Sequence, residues 1–217
     1  MTLEYTTNRI FDAFSAHTQS DERCLIAIAG PPAVGKSTLS ELVCEKFNKT
    51  KKQAAIVPMD GFHMDNDTLT EKGLLHRKGA PMTFDVAAFK STLESLLSED
   101  EVPIPLFDRA QDRTIPNAAK ITGADKYVIV EGNYLLLDQE DWRDLHQLWG
   151  FSVFVEAEFD DLECRLINRW LDHGLDHETA KQRAHNNDLI NAATVLNYRL
   201  KSDLTLTNQV KRLNTHI

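Results

Sequence analysis

Short, continuous apolar runs alternate along this chain with segments in which apolar residues recur at helical spacing. Such runs, bounded by turn-forming residues, predict strands buried on both faces, at 24–30, 54–60, 127–132, 151–158 and, more weakly, 203–208. Helical spacing predicts helices over 3–17, 37–47, 85–98, 138–148, 160–173 and 177–201. Strands that alternate with helices are typical of βαβ units. The pattern therefore predicts a three-layer α/β domain with a five-stranded parallel sheet and helices on both faces.

Two segments lack this regular pattern and are rich in Gly, Pro, Asp and Arg, at about 60–84 and 103–124. Long loops at the carboxyl ends of parallel strands commonly carry binding residues. We therefore predict that both segments are substrate loops of a single domain spanning 1–217, and that they do not form a second domain.

The composition narrows the class of protein. A chain of 217 residues suffices for one α/β core, and its formal net charge of −9 disfavours DNA or RNA as a partner. Its cysteines are far apart, and no apolar stretch approaches the ~20 residues needed to span a bilayer. We therefore expect no nucleic-acid or membrane partner, and a cytoplasmic protein without disulfides.

The first predicted strand leads into a segment that fits the P-loop pattern G-x-x-x-x-G-K-[ST] without a mismatch. In such loops, backbone N–H groups and the start of the next helix surround phosphate oxygens. A lysine in the position of Lys36 neutralises the β- and γ-phosphates, and a hydroxyl such as that of Ser37 ligates Mg²⁺. The predicted ATP-binding residues are Gly30, Pro31, Pro32, Ala33, Val34, Gly35, Lys36, Ser37 and Thr38.

Carboxylates follow two of the other predicted strands. Glu131 follows an apolar run and precedes a glycine, where a P-loop protein needs an acid that helps to position magnesium, although a solvated charge is the alternative. Asp60 ends the strand at 54–60 and is suited to take the proton from an attacking hydroxyl, although an Asx-type turn would also explain it. We predict that Ser37 and Glu131 ligate Mg²⁺ and that Lys36 and Asp60 are catalytic.

Four segments, in this order, resemble the superfamily that contains pantothenate kinase, uridine kinase and phosphoribulokinase. They are Ala33-Val34-Gly35-Lys36-Ser37-Thr38, Asp60-Gly61-Phe62-His63, Arg77-Lys78-Gly79-Ala80-Pro81-Met82-Thr83-Phe84-Asp85 and Val130-Glu131-Gly132. The resemblance covers about 24–208, and within the superfamily the chain is most similar to the nucleoside or sugar (fructose) kinase-like branch. It implies the P-loop NTPase fold with a helical lid at about 160–176, and a kinase that uses ATP and Mg²⁺.

The resemblance also implies roles for residues outside the P-loop. Asp60 corresponds to the catalytic aspartate of the superfamily, and Glu131 to the carboxylate near magnesium. Arg109 and Arg113 belong to a segment that resembles the substrate side, in which a basic residue contacts the acceptor. His63 and Lys78 are further candidates for this contact, although an ordinary surface histidine would explain His63 equally well and a solvated loop charge is the simpler interpretation of Lys78.

The lid segment carries two arginines that the resemblance assigns to the phosphates. Arg165 and Arg169 are four residues apart and therefore share one face of a helix. Guanidinium groups suit the distributed charge of a phosphoryl transition state, so we predict that both are catalytic. Pairing of Arg165 with Asp161 on a solvated helix is the alternative.

The predicted ATP site, catalytic residues and substrate loops favour one function, and one alternative of a different functional class stays open. The chain is predicted to be a kinase that transfers the γ-phosphate of ATP to a hydroxyl of a small metabolite, such as a sugar, a nucleoside or a pantothenate-like alcohol. The alternative is an NTPase switch or a non-catalytic nucleotide-binding regulator that acts on a protein partner. The chain contains neither Asn-Lys-x-Asp nor Asp-x-x-Gly, which a GTP-dependent switch would carry. The resemblance also makes a homodimer an expectation.

Overall fold

A five-stranded parallel sheet forms the centre of the computed structural model, which describes residues 3–17, 22–51 and 53–208. The strands are β1 Cys24–Ala29, β2 Ala54–Pro58, β3 Val102–Asp108, β4 Arg113–Ile121, β5 Tyr127–Gly132, β6 Phe151–Glu156 and β7 Leu204–Thr207. The spatial order in the sheet is β2-β5-β1-β6-β7, with all neighbours parallel. Strands β3 and β4 form a separate antiparallel hairpin.

Helices cover both faces of the sheet. They are α1 Leu3–His17, α2 Lys36–Lys49, α3 Asn66–Glu71, α4 Val86–Ser98, α5 Phe159–Asp172, α6 His177–Arg183 and α7 Leu189–Asn197. Alternate residues of β1 enter two different cores: Leu25 packs with residues of α4, whereas Ile26 packs with residues of α1 and α2. Since successive side chains of a strand point to opposite faces, the continuous apolar run is explained by burial on both sides. The predicted three-layer architecture is confirmed.

The carboxyl ends of three adjacent strands, β2, β5 and β1, lie side by side. In the parallel register, Glu131 of β5 is opposite Ile28 of β1 and Pro58 of β2. The P-loop follows β1, and a 3₁₀ turn at Met59–Phe62 follows β2. The residues that the sequence singled out on separate strands therefore meet at one edge of the sheet.

The structure corrects two of the predicted helices. The segment 138–148 contains only a 3₁₀ turn, Arg143–Leu148, because Asp141 has a positive φ of 72° that a continuous helix excludes. The segment 177–201 contains α6, a π-helical turn at Ala184–Asp188 and α7, which ends at Asn197. Beyond that point the backbone N–H of Leu200 donates to the Leu136 carbonyl, so the chain has left the helix.

The segments predicted as loops are more regular than expected. The segment 103–124 is mostly the β3–β4 hairpin, whose prolines obscured the strand pattern because proline lacks an N–H for a ladder hydrogen bond. The segment 60–84 contains α3 and three 3₁₀ turns. No helix among the described residues has the length and apolar character needed to cross a membrane.

Candidate active site

The P-loop connects β1 to α2 with its backbone in two left-handed conformations, at Ala33 with φ 61° and Gly35 with φ 94°. Gly30 begins the loop directly beside β6, where a side-chain Cβ would collide with the carbonyl of Val155. Glycine is therefore required at this position by packing as well as by its φ of 155°. The result is a loop that leads into the positive end of α2, the arrangement that favours bound phosphate.

Lys36 is buried in this loop, with a relative exposure of 7%. Its Nζ donates to the Pro31 carbonyl at 2.9 Å and to Oδ1 of Asn133 at 2.7 Å. Burial lowers the pKa of Lys36 to about 8, against the opposing effect of Glu131 and Asp60. The ammonium is therefore held in a fixed position at the edge of the sheet and carries its charge at neutral pH.

Glu131 lies beside Ser37, as a magnesium site requires. The Ser37 hydroxyl is 3.3 Å from each carboxylate oxygen of Glu131. Burial raises the pKa of Glu131, and the neighbouring Lys36 opposes the shift. The residues that the structure describes contain no cluster of three or more His, Cys, Asp or Glu side chains suited to a metal. One hydroxyl and one carboxylate fit Mg²⁺ that takes its remaining ligands from phosphates and water.

Asp60 lies in the first turn after β2 and faces the same edge. Its Oδ2 accepts a hydrogen bond from Nη2 of Arg109 at 2.8 Å, while no partner for Oδ1 is present among the described residues. His63 is anchored by Nδ1, 2.8 Å from the Asp60 carbonyl, and its ring lies 4.0 Å from that of Phe84. Burial lowers the pKa of His63, so the neutral imidazole is favoured.

Gly61 allows the β3–β4 hairpin to approach Asp60. A Cβ at this position would collide with the carbonyl of Pro105 in β3. Arg109, in the turn of the hairpin, reaches Asp60 from this side. The hairpin therefore borders the site at this point and fixes the positions of both Asp60 and Arg109.

A cleft of about 860 Å³ joins these groups. The predicted site residues that line it are Pro32, Ala33, Lys36, Ser37, Asp60, His63, Lys78, Arg109, Glu131 and Arg169. Arg113 lies at the start of β4 with an exposed side chain, and it is not among the lining residues. The P-loop and the predicted acceptor segment therefore face a common space.

The two arginines of α5 have different environments. Arg165 lies outside the lining of the cleft and donates to the carbonyls of Ala33 and Val34, each at 3.4 Å, and to the Asn208 carbonyl at 3.1 Å. Arg169 lines the cleft, with its guanidinium 5.5 Å from the centre of the Trp170 ring. A pairing of Arg165 with Asp161 is not present among the ion pairs of the described residues.

Several residues that line the cleft were not predicted from the sequence. They are Asn66, Asp112, Asn133, Arg183, Asn187, Asp188 and Asn191. Asn133 directly follows the end of β5 at Gly132, and this position could have identified it as a site residue. The others come from hairpin and helix positions that only the tertiary fold brings together.

Comparison with known proteins identifies the family. The model of the phosphoribulokinase / uridine kinase family matches residues 25–185. The chain belongs to this family. It is therefore a P-loop kinase, an enzyme class that uses ATP, and the family match covers the P-loop, Asp60, Glu131 and α5.

Relatives in this family differ in the acceptors that their names state. A protein of Schizosaccharomyces pombe, provisionally described as a uridine kinase, is 32% identical over 89% of this chain and 86% of its own length. The pantothenate kinase of Streptococcus pneumoniae serotype 19F is 34% identical over 68% of this chain, which spans only 49% of that enzyme. A crystal structure from Silicibacter sp. TM1040, provisionally described as a fructose transport system kinase, is 44% identical with a TM-score of 0.88 over 95% of this chain and 99% of its own.

Proposed function

We propose that this protein transfers the γ-phosphate of ATP to a hydroxyl group of a small metabolite, with Asp60 as the general base. The observation that carries the proposal is a cleft that brings Asp60 together with Lys36, Ser37 and Glu131. Phosphoryl transfer requires mainly positioning and charge neutralisation, and these groups supply both.

Each group has a defined part in the proposed reaction. The P-loop amides and Lys36 would hold the triphosphate, and Ser37 and Glu131 would hold Mg²⁺, which would supply neutralisation of the phosphate charge. Arg109 fixes one oxygen of Asp60, so that the other oxygen is oriented to accept the proton of the acceptor hydroxyl. Arg169 of α5, the proposed lid, faces the developing charge of the transferred group.

Replacement of Asp60 by Asn tests the general base. We expect Asp60→Asn to lower kcat by about 10²- to 10⁴-fold, because the amide cannot take the proton, and to leave ATP affinity within about threefold. The measurement is ADP release with a panel of hydroxylated metabolites, beside ATP binding by calorimetry. Lys36→Ala is the control that should lose ATP binding. Near-normal turnover by Asp60→Asn with the true acceptor would refute the assignment.

A further inference from the structure

Three polar side chains are buried along one wall of the cleft, on the π-helical turn and the first turn of α7. Asn187, Asp188 and Asn191 line the cleft with relative exposures of 4%, 9% and 3%. Buried polar groups are normally paired, because leaving them without partners is costly. Local π-helical turns inside α-helices are frequent at functional sites. This wall is therefore a candidate for ligand recognition.

The hydrogen bonds of the wall are incomplete. Asp188 accepts from Nε1 of Trp170 through Oδ2 at 2.6 Å, and no hydrogen bond to its Oδ1 occurs within the described ranges. Asn187 donates to the Lys78 carbonyl, while its Oδ1 is buried without a partner there. Asn191 accepts from Arg77 at 3.3 Å. Burial raises the pKa of Asp188, against the hydrogen bond from Trp170 and the charges of Arg169 and Arg183.

Lys78, Arg169 and Arg183 line this part of the cleft, and a carboxylate lies near each of them: Asp112 near Lys78, and Asp188 near both arginines. Lys78 lies 2.9 Å from a carboxylate oxygen of Asp112, and its side chain is only 10% exposed. The guanidinium of Arg183 lies 5.0 Å from the centre of the Trp170 ring. An anionic group beside Asp188 would therefore meet a carboxylate, whereas a hydroxyl can donate to the carboxylate and accept from an amide.

We propose that Asp188 is a specificity-determining residue, which accepts hydrogen bonds from hydroxyls of an uncharged, polyhydroxylated acceptor and disfavours acceptors that carry phosphate or carboxylate. Asn191 completes this subsite one helical turn further on. The proposal rests on the proposed function, because it concerns the acceptor of the same phosphoryl transfer.

Matched pairs of acceptors test the selectivity. A neutral hexose, a pentose and a hexitol are each assayed with ATP beside a monophosphate ester or a carboxylate derivative of the same carbon skeleton. We expect ADP release with neutral members and a lower kcat/KM for every charged counterpart. A charged compound that matches or exceeds its neutral counterpart would overturn the proposal.

Asp188→Asn tests the residue itself. The loss of a hydrogen bond to a charged group predicts a rise of about 10- to 100-fold in KM for the neutral acceptor, with KM for ATP within about twofold. The preference for neutral over charged acceptors should fall by at least about tenfold. The control is Glu94→Gln, which removes the same charge from an exposed position of α4. A variant that loses kcat and thermal stability but keeps both KM and the preference would show a purely structural role and would overturn the proposal.

A second variant separates Asp188 from its indole partner. Trp170→Phe removes the donor to Oδ2 and keeps the carboxylate, so it should retain the preference for neutral acceptors. If it reproduced the changed preference of Asp188→Asn, the carboxylate would act only through Trp170, contrary to the proposal.

Acceptor binding without turnover distinguishes the two proposals. Thermal melting with the neutral compounds should show stabilisation of the wild type, and an equal shift of Asp188→Asn only at about 10- to 100-fold higher concentration, whether or not phosphate is transferred. Stabilisation without ADP release from any compound would count against the proposed function alone. Wild type that is stabilised by no neutral compound would overturn the assignment of Asp188.

Discussion

Lys36 carries a positive charge in a place from which water is largely excluded. Its Nζ is held by a loop carbonyl and an amide oxygen, and burial brings its pKa down to about 8. A triphosphate would favour the charged form of the side chain, since opposite charges attract strongly where solvent is excluded. The free protein should therefore lose its competence to bind ATP as Lys36 deprotonates above this pKa.

ATP binding should depend on pH. Because only the protonated fraction binds, the Kd for ATP should rise about tenfold between pH 7.5 and pH 9. Titration by calorimetry at several pH values measures this directly. In Lys36→Met the ammonium is absent and only ATP itself still ionises. This variant should bind ATP weakly, with a Kd that hardly changes with pH. A flat profile for the wild type would contradict the assigned charge state.

The two arginines of α5 should differ in their kinetic effects. Arg165 donates to the carbonyls of the left-handed Ala33 and of Val34, so Arg165→Ala should relax the P-loop and raise KM for ATP by about tenfold. Arg169 lines the cleft, so Arg169→Ala should mainly lower kcat, by about 10²-fold. Steady-state kinetics of the two variants measure KM for ATP and kcat. A lower kcat for Arg165→Ala with a higher KM for Arg169→Ala would contradict both assignments.

At the scale of elements, the β3–β4 hairpin determines the position of Asp60. Gly61→Ala places a methyl group against the Pro105 carbonyl, so either the hairpin or the 3₁₀ turn must move. We expect a destabilisation of about 1–3 kcal/mol and a loss of kcat of at least about tenfold, with ATP affinity preserved. Thermal melting and kinetics are the measurements.

Gly123→Ala is the matched control for this substitution. A Cβ at Gly123 would approach only the side chain of Asp100, at 3.1 Å, which can rotate away. Equal effects of the two substitutions would show that the close contact at Gly61 has no special importance.

Helices and strands could be predicted where the residues of the element itself carry the pattern, without contributions from distant parts of the chain. The strand before the P-loop and the strand that ends at Gly132 are apolar runs with clear ends, and they were placed correctly. The hairpin was missed as regular structure because Pro103, Pro105 and Pro116 suggest a loop, whereas a two-stranded hairpin tolerates prolines at its edges. The helix over 177–201 was predicted too long because its last residues pair with residues near Leu136.

At the scale of the whole molecule, the cleft combines segments that are far apart in sequence. The phosphate side could be predicted, since its residues follow strand ends that a parallel sheet brings together. The wall formed by Asn187, Asp188 and Asn191 could not, because polar residues at helical spacing usually face solvent. Only the packing of the π-helical turn and α7 against α5 and the segment at Arg77 and Lys78 shows that these side chains are covered.

The open cleft also predicts how strictly the reaction depends on its acceptor. Without a bound acceptor, we expect ADP release below about a hundredth of the rate with it, because a lid that has not closed neither excludes water nor completes the site. A coupled assay with and without acceptor measures the ratio. Equal rates would instead favour an NTPase whose output is a conformational change.

The π-helical turn at Ala184–Asp188 has an evolutionary consequence. Each residue of an α-helix turns the chain by about 100°, so deletion of Asn186 would turn Asp188 relative to the residues before it and favour a regular helix. A single codon lost or gained at this turn would therefore rearrange the wall of Asn187, Asp188 and Asn191, while the phosphate loop, which follows β1, stayed unchanged. Divergence of acceptor choice could proceed here through changes of length, without substitution of any residue that touches the nucleotide.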